Sequence, residues 1–311
     1  MNTQPTLSII IVNWNSGDQL VDCINSIKVA RNETFEIAEI IVVDNGSTDE
    51  SINNLEQLNF DATIIKNSIN VGFAVACNQG AFISSGEYIL FLNPDTCLFE
   101  NSITEPVSLM KQPLYADIGI CGIKLVDENG VATTSAARFP TLKVMIGKIL
   151  GLSKVMPKLF PTHLLTSADL PTDGKVDQVI GAFFLIRRNV FDICEGFDER
   201  FFVYFEEVDL SLRAKQFGYS SYFFSGASAF HKGGGCSDQV KATRLFYSLR
   251  SRLQFGYKHY SNIDFVSLIL LTGIEFVIRL LLGLIKASWA DISNTIIGYS
   301  RLVSYYARGV Q

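Results

Sequence analysis

Three stretches of this chain are continuous or nearly continuous runs of apolar, mostly branched or aromatic side chains: LSIIIV at 7–12, broken only by Ser8, IIVV after Glu39, and YILFL at 88–92. A strand with one wet face alternates apolar and polar residues. A strand apolar at every position is buried on both faces. Each run stops at a polar turn: Asn13-Trp14-Asn15-Ser16-Gly17, Asp44-Asn45-Gly46-Ser47, and Asn93-Pro94-Asp95-Thr96. Between them Leu20, Ile24 and Ile27 recur at helical spacing, Thr63–Lys66 reads as a short third strand, and Phe73–Ser84 as a helix. Ser47 or Thr48 is placed to cap the helix after the second strand. Buried strands alternating with helices predict an α/β fold around a doubly wound, mostly parallel sheet. Ligands of such sheets sit beyond the carboxyl ends of the strands. The ends here carry Asn13, Asp44 and Asn93-Pro94-Asp95, the polar set a nucleotide-type site needs.

The 311 residues allow one large domain or two modest ones. With 26 Lys and Arg against 31 Asp and Glu, the net charge of −5 argues against a general nucleic-acid binder. A local basic patch for a membrane remains open. The six cysteines form no CxxC pair and read as reduced, buried thiols of a cytosolic protein. The N-terminus has no basic stretch or cleavage site and reads as the start of a domain. Further on, Ile118–Val126 is strand-like and Asp127-Glu128-Asn129-Gly130 is a hairpin turn. Thr141–Lys175 has no clear period and reads as a long surface insertion. Val176–Ile186 is strand-like again, Phe205–Phe217 helical, and Tyr219–Phe224 a strand. From Gln239 the pattern is helical to the end. Phe265–Ile274 is uncharged, and Glu275 and Arg279 are spaced to pair on one helix face. This hydrophobic tail is expected to lie in a membrane interface or form a hairpin. A single span or a soluble packing helix are the alternatives.

Four constellations carry candidate chemistry. Asp95, exposed at the sheet edge, could hold Mg²⁺ or Mn²⁺ together with phosphate oxygens; the plain alternative is an Asn-Pro turn. Glu206, Glu207 and Asp209 follow the aromatic cluster Phe201, Phe202, Tyr204 and Phe205. Desolvation there would raise a carboxyl pKa and suit a general base; the alternative is an acidic helix N-terminus, with Asp209 paired to Arg213. His231 precedes three glycines that let the backbone wrap a ligand, although a lone histidine is often structural. Asn70, Gly72 and Asn78 could read base or ribose edges or simply form a helix entry. No phosphate loop, GxGxxG fingerprint or GxSxG elbow is present.

Taken in order, LSIIIVNWNSGDQLVDCINSI, EIIVVDNGSTDES, NVGFAVACNQGA, YILFLNPDT, GAFFLIRRNVFDICEGFDERFFVYFEEVDLSLRAKQFGY and AFHKGGG resemble glycosyltransferase family 2, the inverting GT-A enzymes. The NPDT and GFDERFFVYFEEVDLSLR forms look like its rhamnosyltransferase branch. The resemblance implies a GT-A catalytic domain over 1–255, with a nucleotide-binding half at 1–97 and an acceptor half at 98–255, followed by a helical tail at 256–311. It implies a donor pocket around Asn13, Asn15, Asp44 and Asn45, with Asn70, Gly72 and Asn78. Asn93-Pro94-Asp95 stands where the family has its DxD motif, so Asp95 alone supplies a carboxylate to the divalent metal, with His231 as second ligand. Glu207, with Glu206 as the alternative, matches the catalytic base. The implied reaction is inverting sugar transfer, from dTDP-L-rhamnose or else a UDP-hexose, to a lipid-linked or cell-envelope glycan at the cytoplasmic face of the membrane. A non-catalytic nucleotide-sugar-binding module is the reading from another class.

Overall fold

The computed structural model describes residues 4–30, 34–58, 60–166, 169–233 and 241–309. Gly234, Gly235, Cys236 and Gln239, noted in the sequence, lie outside the described residues, as do the first three. The strands are β1 (Thr6–Asn13), β2 (Glu36–Asp44), β3 (Thr63–Lys66), β4 (Tyr88–Leu92), β5 (Thr96–Leu98), β6 (Ile118–Val126), β7 (Ala136–Ala137), β8 (Asp173–Val176), β9 (Gln178–Val179), β10 (Phe183–Arg187) and β11 (Ser220–His231). The helices are α1 (Gln19–Ala30), α2 (Ser51–Gln57), α3 (Phe73–Ile83), α4 (Thr104–Lys111), α5 (Leu142–Ile149), α6 (Leu152–Val155), α7 (Arg188–Ile193), α8 (Glu206–Gln216), α9 (Lys241–His259), α10 (Asn262–Ile285) and α11 (Trp289–Ala307).

The chain divides into two compact units. The first takes the described residues up to Phe139, Leu164–Glu199, and those from Glu206 to 233. Its main sheet has the order β3-β2-β1-β4-β10-β6-β11-β5, with β8 also paired to β11. The expected parallel arrangement runs through β3, β2, β1 and β4 and recurs between β6 and β11. β10 lies antiparallel between the two parallel groups. Side chains two apart share a face, which explains the apolar runs. Leu7, Ile9 and Ile11 of β1 pack with α1, α2 and α4, whereas Ile10 and Val12 pack with α3, α7 and α8. β2 and β4 divide the same way, with Val42 and Leu90 on the first face and Val43 and Phe91 on the second.

Some local expectations are corrected. The strand-like run Val176–Ile186 is broken into the end of β8, β9 and β10. The α2 helix starts at Ser51 without a side-chain cap, because the Ser47 hydroxyl is bonded to Asn13 and to the Asn15 amide instead. The Asp127–Gly130 turn is as expected: the Asp127 N–H donates to Val131 O at 2.9 Å, and Val126 bridges Ala132 antiparallel.

The second unit comprises Pro140–His163, Arg200–Phe205 and the described residues from 241 on. The unpatterned insertion expected at Thr141–Lys175 instead begins with α5. Thr141 caps that helix by accepting from the Val144 N–H, and Val144, Met145 and Ile149 form its buried face. They pack with Leu249 and Leu253 of α9, Leu268 and Leu271 of α10, and Tyr299 and Leu302 of α11. The anticipated pair on α10 forms, with Arg279 Nε 2.9 Å from Glu275 Oε1. Arg252 of α9 completes a network, 2.6 Å from Glu275 Oε2 and 3.0 Å from the Thr272 hydroxyl. The domain division expected at 255/256 falls inside α9.

Candidate active site

β5 runs antiparallel to β11 with Thr96 opposite His231. That register brings the residue just before β5 beside the end of β11. Asp95 Oδ1 lies 3.4 Å from His231 Nε2, and the Lys232 N–H donates to Asp95 O at 3.2 Å. Both side chains are mostly buried but open to solvent at 12% and 17%. Two residues 136 positions apart in the chain thus share one point at the sheet edge. No group of three or more His, Cys, Asp or Glu suited to a metal occurs among the described residues. A carboxylate beside an imidazole is a donor set that fits Mn²⁺ or Mg²⁺ when phosphate oxygens and water supply the remaining ligands.

The segment before β10 links this point to α8. Ala182 O accepts from the Asn93 N–H at 3.1 Å and from the Thr96 hydroxyl at 3.3 Å. At the neighbouring Gly181, a Cβ would stand 3.9 Å from Glu207 Cγ. Tyr204 and Phe205 just ahead of α8 have φ of 68° and 71°. Left-handed backbone at such residues costs about 1–3 kcal/mol each. It turns the chain so that Glu206 and Glu207 become the first two residues of α8. Each keeps one buried carboxylate oxygen, Oε2, without a hydrogen-bond partner. Burial, and then the charge of Glu207, push the Glu206 carboxyl well above the usual range. Burial also raises Glu207, against backbone N–H groups at the helix start that favour its anion. Of the two, Glu206 binds a proton more tightly, because the charge of Glu207 adds to the effect of burial.

Asp209, fully buried, and Arg213 fix α8, as the sequence suggested. Arg213 Nε donates to Asp209 Oδ2 at 2.7 Å, and the guanidinium also donates to Cys194 O and, at 2.8 Å, to Gly196 O. Arg213→Ala removes the cation paired with a buried carboxylate and should cost about 3–5 kcal/mol of stability. A thermal melt unchanged from the parent would contradict this account of how α8 is held.

The donor-side residues divide into two sets. Asn13 is fully buried; its Nδ2 donates to Asp44 Oδ1, Ser47 Oγ and Ser51 Oγ at 2.9–3.0 Å, and its Oδ1 accepts from Ser16. Asn45 is buried too, donating to Asn70 Oδ1 and Gly72 O and accepting from the Val71 N–H. Asn78 of α3 is spent on Phe197 and Glu199, tying down the loop before α8. These three amides hold loops together. Asn15 Oδ1 accepts from the Thr48 N–H at 2.8 Å. Asp44, buried at the end of β2, accepts from Asn13 on Oδ1 and from the Ser47 N–H on Oδ2 at 3.4 Å. Gly46, at φ +74°, lies where a Cβ would stand 2.7 Å from Ile69 C, so only glycine lets these two loops touch.

The profile of the family described as Glycosyl transferase family 2 matches residues 8–193. The chain belongs to that family. This glycosyltransferase is 26% identical over 242 residues to the N-acetylglucosaminyl-diphospho-decaprenol L-rhamnosyltransferase of Mycobacterium tuberculosis, spanning 72% of this chain and 75% of that one. It is 29% identical over 148 residues to the rhamnosyltransferase WbbL of Escherichia coli, spanning 47% and 52%. Among solved structures it is similar to the mannosyltransferase PcManGT of Pyrobaculum calidifontis, in complex with GDP-Man and Mn²⁺. That match has a TM-score of 0.56 at 12% identity and covers 100% of this chain and 77% of the other. The fold is GT-A, with the glycosyltransferase sheet followed by C-terminal helices.

Proposed function

We propose that this glycosyltransferase moves L-rhamnose from dTDP-L-rhamnose to a hydroxyl of a lipid-linked or cell-envelope glycan at the cytoplasmic face of the membrane, inverting the anomeric centre. The observation that carries the reading is the meeting of Asp95 and His231 at the sheet edge, with Glu207 set against the strand segment that also holds Asn93. The activity named for the mycobacterial relative supports the choice of sugar and a lipid diphosphate acceptor.

Asp95 and His231 would hold a divalent cation, Mg²⁺ or Mn²⁺, which when bound offsets the negative charge of the departing diphosphate. Asp44 and Asn15 line the nucleoside side, on loops braced by Asn13, Asn45, Asn70 and Gly72. Glu207 Oε accepts the proton of the acceptor hydroxyl as that oxygen attacks the anomeric carbon opposite the leaving group. Glu206 beside it retains its proton and leaves the negative charge to Glu207. Residues 1–255 supply this chemistry, and the tail from 256 serves the acceptor's membrane.

A panel of nucleotide sugars with Mn²⁺, Mg²⁺ and a lipid-diphosphate GlcNAc acceptor tests the proposal. Turnover of dTDP-L-rhamnose should exceed that of UDP-glucose, UDP-GlcNAc and GDP-mannose by at least about tenfold in kcat/KM, since a pocket shaped for one sugar and base rejects others on this scale. Preference for a UDP-hexose would refute the donor assignment, and absence of transfer from every donor would favour a binding module.

A further inference from the structure

We propose that α10 lies flat on an anionic bilayer, its exposed apolar stripe in the lipid and its other face held by the protein, so that it anchors the enzyme without crossing. The inference rests on the reading that the acceptor is carried by a membrane lipid, and adds how the protein meets that membrane.

Among the described residues α10 is the one helix long and apolar enough to cross a membrane, at 24 residues. Length and composition alone would allow a span. Its two faces argue otherwise. Ile263, Val266, Leu270, Val277, Leu281 and Ile285 recur three, four or seven residues apart, so they form one stripe, and all are exposed. Leu268, Leu271, Thr272 and Glu275 form the opposite face, buried within the helical unit. There Glu275 is gripped by Arg252 of α9 and Arg279 one turn on. Burial pushes the Glu275 carboxyl up, and the two guanidiniums more than reverse this, so it stays ionised. A helix with an ionised, protein-bound side and a greasy free side is amphipathic, and such helices rest in the interface plane.

Charge names the surface that covers the stripe. The helical unit's described residues hold 14 of the chain's 26 Lys and Arg but only 3 of its 31 Asp and Glu. The whole-chain charge of −5 conceals this imbalance. Lys154 and Lys158 are exposed, interleaved with the exposed Val155, Met156 and Leu159. Lys286 ends α10, and Trp289 opens α11 at 78% exposure. A cationic unit whose stripe ends at Lys286 and an exposed indole complements anionic headgroups over acyl chains. A second copy of so cationic a unit would be repelled.

The test uses the full-length protein with vesicles of phosphatidylcholine, with or without phosphatidylglycerol. The parent should co-sediment strongly only with phosphatidylglycerol present, lose about tenfold in partition at high salt, and be released by alkaline carbonate. Leu270→Asp/Leu281→Asp should keep its circular dichroism spectrum and lose at least about 100-fold in partition. Leu270→Ser/Leu281→Ser reads the same loss, at about tenfold, should the charged pair disturb folding. Carbonate resistance, with α11 shielded from protease, would mean that α10 spans, overturning the flat anchor while leaving the membrane acceptor intact. Unchanged partition of both variants would overturn it as well, and loss of a dimer by those variants would identify a second copy as the occupant. No binding of the parent to any vesicle, with transfer to a water-soluble acceptor intact, would remove the membrane reading itself.

Discussion

Asp95→Ala should lower kcat/KM for sugar transfer by at least about 10³-fold, measured as release of nucleoside diphosphate at saturating Mn²⁺. A metal-borne positive charge facing a diphosphate contributes several kcal/mol in the transition state, and each 1.36 kcal/mol is tenfold in rate. His231→Ala should fall to a similar level. The double variant should be little worse than either alone, because ligands that act as a unit are not additive. The fold should survive. The Asp95 carboxylate pairs with His231, while the main-chain link from Lys232 N–H to Asp95 O and the β5–β11 ladder do not depend on it. Chelation of the parent by EDTA should reproduce the loss and added Mn²⁺ should restore it. Full activity in EDTA would defeat the roles assigned to both residues.

That Asp95 could be singled out from the chain at all rests on the strand before it. YILFL has no polar position, so it had to be buried on both faces, and whatever follows it had to emerge at the carboxyl edge. The same logic located Asp44. It did not show that Asn13 and Asn45 also bond to neighbouring loops, because residue type does not say which groups an amide meets. That depends on which loops meet, and Gly46 against Ile69 is a contact no local pattern encodes. The antiparallel insertion of β10 was hidden for a similar reason: a strand buried on both faces reads alike in either direction. The α5 helix has a local signal despite the lack of a longer period around it. Thr141 followed by Val144, Met145 and Ile149 is a cap and a helical stripe within a single short segment. The charge imbalance between the two units is invisible in the net charge, which averages over a division that only the packing reveals.

Glu207→Gln should reduce kcat by about 10²–10⁴-fold, the usual contribution of a positioned base, with little change in donor affinity. Glu206→Gln should cost far less, since in this account Glu206 contributes its proton and its bulk, not a lone pair to the acceptor. The pH profile separates the two roles. The base works only ionised, and burial holds the Glu207 carboxyl above its ordinary value. The acid limb of kcat/KM should therefore lie above the ordinary glutamate value, and in Glu206→Gln, where one neutral group replaces another, it should stay near the parent's. Stability should run the other way. A folded pKa raised above the unfolded one means that the native state binds the proton more tightly. Its contribution is full below the unfolded pKa and is lost as pH rises through the folded pKa. At neutral pH the buried Glu207 carboxylate therefore strains the fold, and Glu207→Gln should melt at a higher temperature than the parent while being nearly inactive. Retained transfer would remove Glu207 as the base. A lower melting temperature would show that its buried oxygen is satisfied, and that α8 carries its acidic start for helix stability alone.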